Sequence, residues 1–258
     1  MIDYHVRIAP RLLTHLAGRQ LTLKRYPNGV HAPFFYEKRC PPHAPDWIHR
    51  APGQIPYCVI DGLASLVWVA NLASLELHPS LALAAAPDIP TVVAFDLDPG
   101  APADVVACAR LAADLRDMLA ALGLQCFPKT SGSKGMQVYV PLNTPTTYDA
   151  TRAFSHAVAL TLERQLPDRV VATMAKQHRA GRVFVDWAQN HPTRTTIAAY
   201  SLRAMPEPTV STPVTWDEVE DARTADDLTF TAPEVLARED DPFAPVATLR
   251  QELPAHAA

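Results

Sequence analysis

Apolar residues recur along this chain with two different periods. Over residues 103–122 they fall at Val106, Leu111, Leu115, Met118 and Leu122, the spacing of one helical face, and Gly123 follows as a stop. Residues 148–166 repeat that pattern and end at Pro167. Short apolar runs predict strands at 91–95, 124–127, 136–140 and 183–187, with a longer one at 195–204. Residues 12–23 predict a short helix and a strand, 55–69 have strand character, and 71–83 have a helical pattern. Asn28-Gly29-Val30 signals a turn, and PPHAPDW (41–47) a proline-rich loop. WDEVEDA and APEVLARED predict short outer helices near the C-terminus. Interleaved strands and helices of this kind indicate an α/β or α+β fold. The pattern predicts a single domain over 1–258, in which residues 1–60 are a candidate small lobe and 205–258 an acidic helical segment.

Composition narrows the class. The chain has 258 residues, 48% of them hydrophobic, enough to bury a large core. No apolar run reaches membrane-spanning length, and MIDYHVRIAP lacks a secretory pattern, which predicts a cytoplasmic protein with no membrane partner. Cys40, Cys58, Cys108 and Cys126 include no CxxC pair, so the expectation is reduced thiols rather than a zinc ribbon. The formal net charge of −4 conceals an asymmetry: residues 1–50 carry eight Lys/Arg against three Asp/Glu, and 205–258 carry three against twelve. A basic first segment suits phosphate; an acidic tail does not.

The run VVAFDLDPG (92–100) is where candidate chemistry concentrates. A buried strand ends in Asp96 and Asp98, and residues i and i+2 of a strand share a face, so the two carboxylates repel unless a cation relieves them. Paired oxygen ligands suit Mg²⁺ or Mn²⁺. Asp186 in RVFVDWAQN ends another apolar strand and completes a set of three acids, which suits two divalent ions about 3.5–4 Å apart. The bland readings are turn caps and surface ion pairs. A haloacid-dehalogenase-like phosphatase also begins with a strand and DxD, but Gly100 stands where that family has Thr or Val.

The loop TSGSKG (130–135) has small residues whose N–H groups can cradle phosphate, with Lys134 as a point charge. It is no Walker loop, and its SxxK string lacks the partner motifs of penicillin-recognising enzymes. Arg203 in YSLRA could grip a triphosphate bidentately. Lys24 and Arg25 precede a turn, and Phe34 and Phe35 follow, an association of basic and aromatic residues that can hold nucleic acid. His78 in NLASLELH reads as a phosphate contact or a satisfied surface histidine.

Together the strings LTLKRYPNGV, NLASLELH, AFDLDPG, TSGSKGMQVYVPL, VFVDWAQN, AAYSLRA and STPVTWDEV resemble, in order and over nearly the whole chain, the polymerase domain of bacterial ligase D, of the archaeo-eukaryotic primase type. The resemblance implies an archaeo-eukaryotic primase-like fold with a central mixed or antiparallel sheet, and template-directed nucleotidyl transfer at DNA breaks or gaps, with ribonucleotides preferred. It implies Asp96, Asp98 and Asp186 as catalytic metal ligands for two Mn²⁺ (or Mg²⁺). It implies Ser131, Lys134, Gly135, Arg203, His78 and Lys24 as nucleotide-binding, and Phe34, Phe35 and Arg25 as DNA-binding. Partners would be broken or gapped DNA, nucleoside triphosphates, Ku and a separate ATP-dependent ligase, and the chain would act as a stand-alone enzyme. The alternatives are a non-catalytic DNA-end-binding module and a metal-dependent phosphatase. Two departures accompany the resemblance. Gln137 occupies a position where the family usually has His. The family's lysine-bearing segment ahead of Ile2-Asp3-Tyr4 does not precede this start, which leaves Arg7, Arg11 and Arg19 as candidates to replace its 5′-phosphate contacts in part.

Overall fold

The computed structural model describes residues 1–254. The chain opens with helix α1 (Ile2–Leu16), which buries Tyr4, Ile8, Leu12 and Leu16, four residues apart on one stripe. Strand β1 (Arg19–Arg25) follows as the spine of a first sheet. Antiparallel to it run β2 (Phe35–Glu37) and β4 (Cys58–Val59), with β3 (His49–Arg50) beyond β4. Helix α2 (Leu63–Asn71) then leads into β5 (Ser74–Leu83), which pairs along the length of β1.

Two expectations are corrected here. Residues 63–69, expected to extend a strand, lie in α2, because Ser65 Oγ accepts from the Gly62 and Asp61 N–H groups at 3.2 Å and so starts a helix. Residues 74–83, expected to be helical, are β5, with Leu75, Leu77 and Leu81 at strand spacing in the core. In both cases tertiary packing outweighed weak local preference.

The second sheet has the order β7-β8-β6-β10-β9. Its strands are β6 (Val92–Pro99), β7 (Phe127–Thr130), β8 (Met136–Pro141), β9 (Val170–Val171) and β10 (Val183–Asp186). All neighbours are antiparallel except β9 and β10, so the sheet is mixed. Helices α3 (Val105–Ala121) and α4 (Tyr148–Gln165) bury their apolar stripes in one core with Val93, Phe95 and Leu97 of β6 and Met136, Val138 and Val140 of β8. Asp104 caps α3 through the N–H groups of Val106 and Ala107, and Gly123 (φ 77°) ends it, its N–H donating to Ala120 and that of Leu124 to Leu119. The alternate residues Val92, Ala94 and Tyr139 belong instead to the core shared with the first sheet. This mixed α+β arrangement agrees with the fold expected from sequence.

Only a short part of 195–204 is a strand: β11 (Leu202–Arg203) pairs with β12 (Thr209–Val210). The rest is extended chain tied to β5 by the N–H groups of Thr196 and Ala198, which donate to Pro79 and Leu77. Three short helices close the described chain: α5 (Trp216–Asp221), α6 (Ala232–Ala237) and α7 (Pro245–Thr248). Cys40, just ahead of the proline-rich loop, and Cys58 of β4 form a disulfide, where reduced thiols were expected; the chain turns back between them and the Cys40 N–H donates to Pro56, so that cysteines 18 residues apart in sequence meet. Cys108 and Cys126 are free and buried. Among the described residues no helix is long and apolar enough to cross a membrane.

Candidate active site

Strand alternation decides which way the acids point. On β6, Val93, Phe95 and Leu97 face the helices, so Asp96 and Asp98 continue the opposite face begun by Val92 and Ala94. Register then sets Asp186 of β10 directly opposite Asp96, and Gln137 of β8 opposite it on the other side. Lys129 of β7 is in turn opposite Gln137. Lys129, Gln137, Asp96 and Asp186 therefore form one polar row across four strands.

The row is hydrogen-bonded. Gln137 Nε2 donates to Asp96 Oδ1 at 3.1 Å. Gln189 Nε2 donates to Asp96 Oδ2 at 3.5 Å and to Asp186 Oδ2 at 3.4 Å. Asp186 Oδ1 accepts from the Ala188 N–H at 3.1 Å. Asn190, fully buried, exchanges two hydrogen bonds with the Ala94 backbone at 2.8 and 2.9 Å, which clamps the turn after Asp186 onto β6. Burial, then the charge of Asp98 and that of Asp186, pushes the Asp96 carboxyl up to about 7. Burial also raises Asp186. Lys129, fully buried, donates to Ser211 Oγ at 2.7 Å, and burial pushes its ammonium down to about 7.

Asp96 and Asp98 open into a cleft of about 430 Å³ whose other walls carry His78, Ser131, Lys134 and Arg203. The loop between β7 and β8 is built tightly. Ser131 Oγ accepts from the N–H groups of Ser133 and Gly135 at 3.2 Å each. Gly132 has φ 68°, and a Cβ there would lie 2.6 Å from Arg203 Cγ. A Cβ on Gly135 would strike the Leu97 carbonyl oxygen, so Gly135 serves close backbone approach. Lys134 is exposed and Arg203 half-buried.

Glu76, which sequence reasoning missed, sits behind these cations at 1% exposure. Its Oε1 accepts from Lys24 Nζ at 3.2 Å, Tyr26 Oη at 3.3 Å and the Ala204 N–H at 3.2 Å. Its Oε2 meets His78 Nε2 at 3.1 Å and accepts from Arg203 Nη1 at 3.2 Å. Burial works to raise the Glu76 carboxyl, but the His78 hydrogen bond, the Arg203 charge and the Ala204 N–H together outweigh it and hold it at about 2. Burial lowers His78 despite that carboxylate.

Lys24 is thus not on the cleft wall; its ammonium lies between Glu76 and the Phe34 ring, 4.2 Å from the ring centre. Phe34 and Phe35 are both exposed, at 48% and 44%. They diverge, as neighbours along an extended chain do: Phe34 lies with Tyr36 beside Lys24, whereas Phe35 lies over Arg25 at 5.1 Å. Arg25 pairs with Glu37 at 2.8 Å. Tyr36, 56% exposed, lines the cleft, as do Arg194 and Gln189. Sequence reasoning missed these three; Tyr36 adjoins the two phenylalanines and Gln189 follows Asp186 by three residues, so position relative to motif residues was the available signal. Arg11 donates to the carbonyls of Val235 and Arg238, Arg19 to Ser80 and Thr91, and Arg7 pairs with Asp3.

Among the described residues no three His, Cys, Asp or Glu side chains already converge as an ion cage. The donors nonetheless fit a hard divalent cation: all are carboxylate oxygens, on adjacent strands, and the Asp96 carboxyl carries burial and repulsion that the Gln137 amide and the Lys129 charge offset only in part.

Residues 1–243 match the family model described as LigD, primase-polymerase domain. The chain belongs to that family. It is 43% identical over 234 residues to the multifunctional non-homologous end joining DNA repair protein LigD of Mycobacterium tuberculosis H37Rv, covering 86% of this chain and 31% of that protein. It is 32% identical over 267 residues to the multifunctional non-homologous end joining protein LigD of Pseudomonas aeruginosa, covering 99% of this chain and 31% of that one. The chain therefore spans about a third of the length of these LigD relatives. Its fold superposes on the polymerase domain from Mycobacterium tuberculosis ligase D in complex with DNA with a TM-score of 0.88 and 38% identity, covering 97% of this chain and 92% of the other. The primase-polymerase membership expected from sequence is thereby shown.

Proposed function

We propose that this LigD-type domain is a template-directed nucleotidyltransferase that adds nucleotides, ribonucleotides in preference, at DNA breaks or gaps during non-homologous end joining. The single observation that carries the reading is the register of Asp186 opposite Asp96 on a sheet face that opens into a cleft with Lys134 and Arg203 on its other wall. A phosphoryl-transfer site needs that pairing of acids with cations across one substrate-sized space. Likeness to a polymerase domain in complex with DNA supports DNA as the template.

In this reading Asp96, Asp98 and Asp186 hold two divalent ions, Mn²⁺ or Mg²⁺. Bound there, such ions would make the primer hydroxyl a better nucleophile and stabilise charge on the leaving oxygens. Ser131 holds the phosphate loop in shape through its two accepted hydrogen bonds, so that Lys134 and Arg203 approach the triphosphate from one side. The primer 3′-oxygen bonds to the α-phosphorus, its proton leaves to water, the bond to the bridging oxygen breaks, and pyrophosphate departs. Gln137 orients Asp96 by donation and takes no proton. Phe34, Phe35 and Tyr36 offer exposed rings on which template bases stack. Family analogy adds Ku and an ATP-dependent DNA ligase as partners.

Extension of a gapped primer–template with Mn²⁺ and either ATP or dATP tests the proposal. Templated addition by the wild-type chain, lost in Asp96→Ala, is the expected result. A folded wild-type chain that binds the DNA but incorporates nothing would overturn it in favour of an end-binding module.

A further inference from the structure

Two residues of the cleft wall, His78 and Arg203, share with Lys24 behind it a partner that the reaction as described does not use. Glu76 on β5 presents a carboxylate, 2% exposed as a side chain, to Lys24, His78 and Arg203 at once. Each of its neighbours comes from a different part of the fold: Lys24 from β1, His78 two residues along β5, and Arg203 from β11. The register explains the first two, since β1 and β5 pair Lys24 with Glu76 and Thr22 with His78. Tyr26 and the Ala204 N–H complete the shell, so both carboxylate oxygens are saturated.

We propose that Glu76 is the positioning residue of the nucleotide site: it orients Arg203 toward the triphosphate, fixes the tautomer of His78 beside it and anchors Lys24 behind them. The inference rests on the nucleotidyl-transfer reading. Arg203 spends one guanidinium nitrogen, Nη1, on Glu76 and keeps its remaining donors for the cleft it lines. Accepting from His78 Nε2–H holds the imidazole in one tautomer and leaves Nδ1 as an acceptor, which suits a hydroxyl of the substrate and not a phosphate oxygen. Without the carboxylate, two permanently charged groups would repel each other in a partly buried space, and their long side chains would lose a fixed direction. Lys24 also touches the Phe34 ring, so the same carboxylate ties the exposed aromatic strand to the nucleotide wall.

The test measures ATP binding in Mn²⁺ by calorimetry and gapped-duplex binding by fluorescence anisotropy, for wild type, Glu76→Gln and Glu76→Asp. Glu76→Gln is expected to weaken ATP binding about tenfold, the loss of one charge-assisted contact, while leaving duplex binding within about twofold. Glu76→Asp, which keeps the charge, is expected to recover part of the loss. In steady-state extension the nucleotide KM should rise more than kcat falls. The ¹⁵N spectrum of His78 gives a readout on the unmutated protein, with the proton expected on Nε2. Equal ATP affinity in wild type and Glu76→Gln, or a His78 proton on Nδ1, overturns the inference and leaves the polymerase reading intact. A folded wild-type chain with no affinity for ATP overturns both.

Discussion

Asp96 on β6 and Asp186 on β10 are cross-strand partners, and one amide, Nε2 of Gln189, reaches an oxygen of each at 3.5 and 3.4 Å. Carboxylates so placed are destabilising unless something positive joins them. The site is organised at the expense of the resting fold, and that has measurable consequences.

Asp96→Asn should stabilise the metal-free protein at neutral pH. The Asp96 carboxyl is pushed from the ordinary 3.8 up to about 7, so between those values the folded state holds a proton that the unfolded state has lost. Stability therefore falls as pH rises through that window. Removing the charge should raise stability at pH 8 by about 1–3 kcal/mol and flatten the pH dependence. Thermal melts from pH 4 to 8 check it, and Mn²⁺ should raise the melting temperature of the wild type but far less that of the variant.

Gln137→Leu removes the amide that donates to Asp96 and preserves the volume on β8. Groups that orient metal ligands typically matter by about 10–100-fold, so Mn²⁺ affinity should fall by that order with little loss of fold. Titration of Mn²⁺ by electron paramagnetic resonance measures it; unchanged affinity would remove Gln137 from the site.

Lys129→Met should change the alkaline side of the stability curve. Burial holds the Lys129 ammonium down near 7 from the ordinary 10.5, so across that interval the unfolded chain binds the extra proton. Wild-type stability should then rise with pH between about 7 and 10.5, and the variant should lose this slope. Urea denaturation at pH 7, 8.5 and 10 distinguishes the two.

Gly132→Ala should cost about 1–3 kcal/mol, because φ is 68° and the new Cβ would press on Arg203 Cγ and the backbone of β12. Displacement of Arg203 should weaken ATP binding as well. A variant with wild-type melting temperature and affinity would show that the loop relaxes freely.

The motif residues were legible because their chemistry is local. Asp96 and Asp98 announce themselves as charges ending an apolar strand, and α3 and α4 as long runs at one period with clear stops. Glu76 was not legible. Residues 74–81 alternate Leu75, Leu77, Pro79 and Leu81 with Ser74, Glu76, His78 and Ser80, a strand period that a helical reading of the same apolar residues obscures. Read as a strand, Glu76 and His78 share a face; only pairing with β1 shows that Lys24 joins them.

By itself the sequence singled out the candidate groups: three carboxylates, a loop of small residues with a lysine, basic residues and aromatics, with family membership read from their order. Tertiary structure alone decided how they combine. Pairing register set Asp186 opposite Asp96, packing between the sheets buried Lys129 and Glu76, and strand alternation sent Phe34 and Phe35 to different sides. The physical reason is that these relations depend on contacts between segments far apart in the chain, whose geometry no local period encodes.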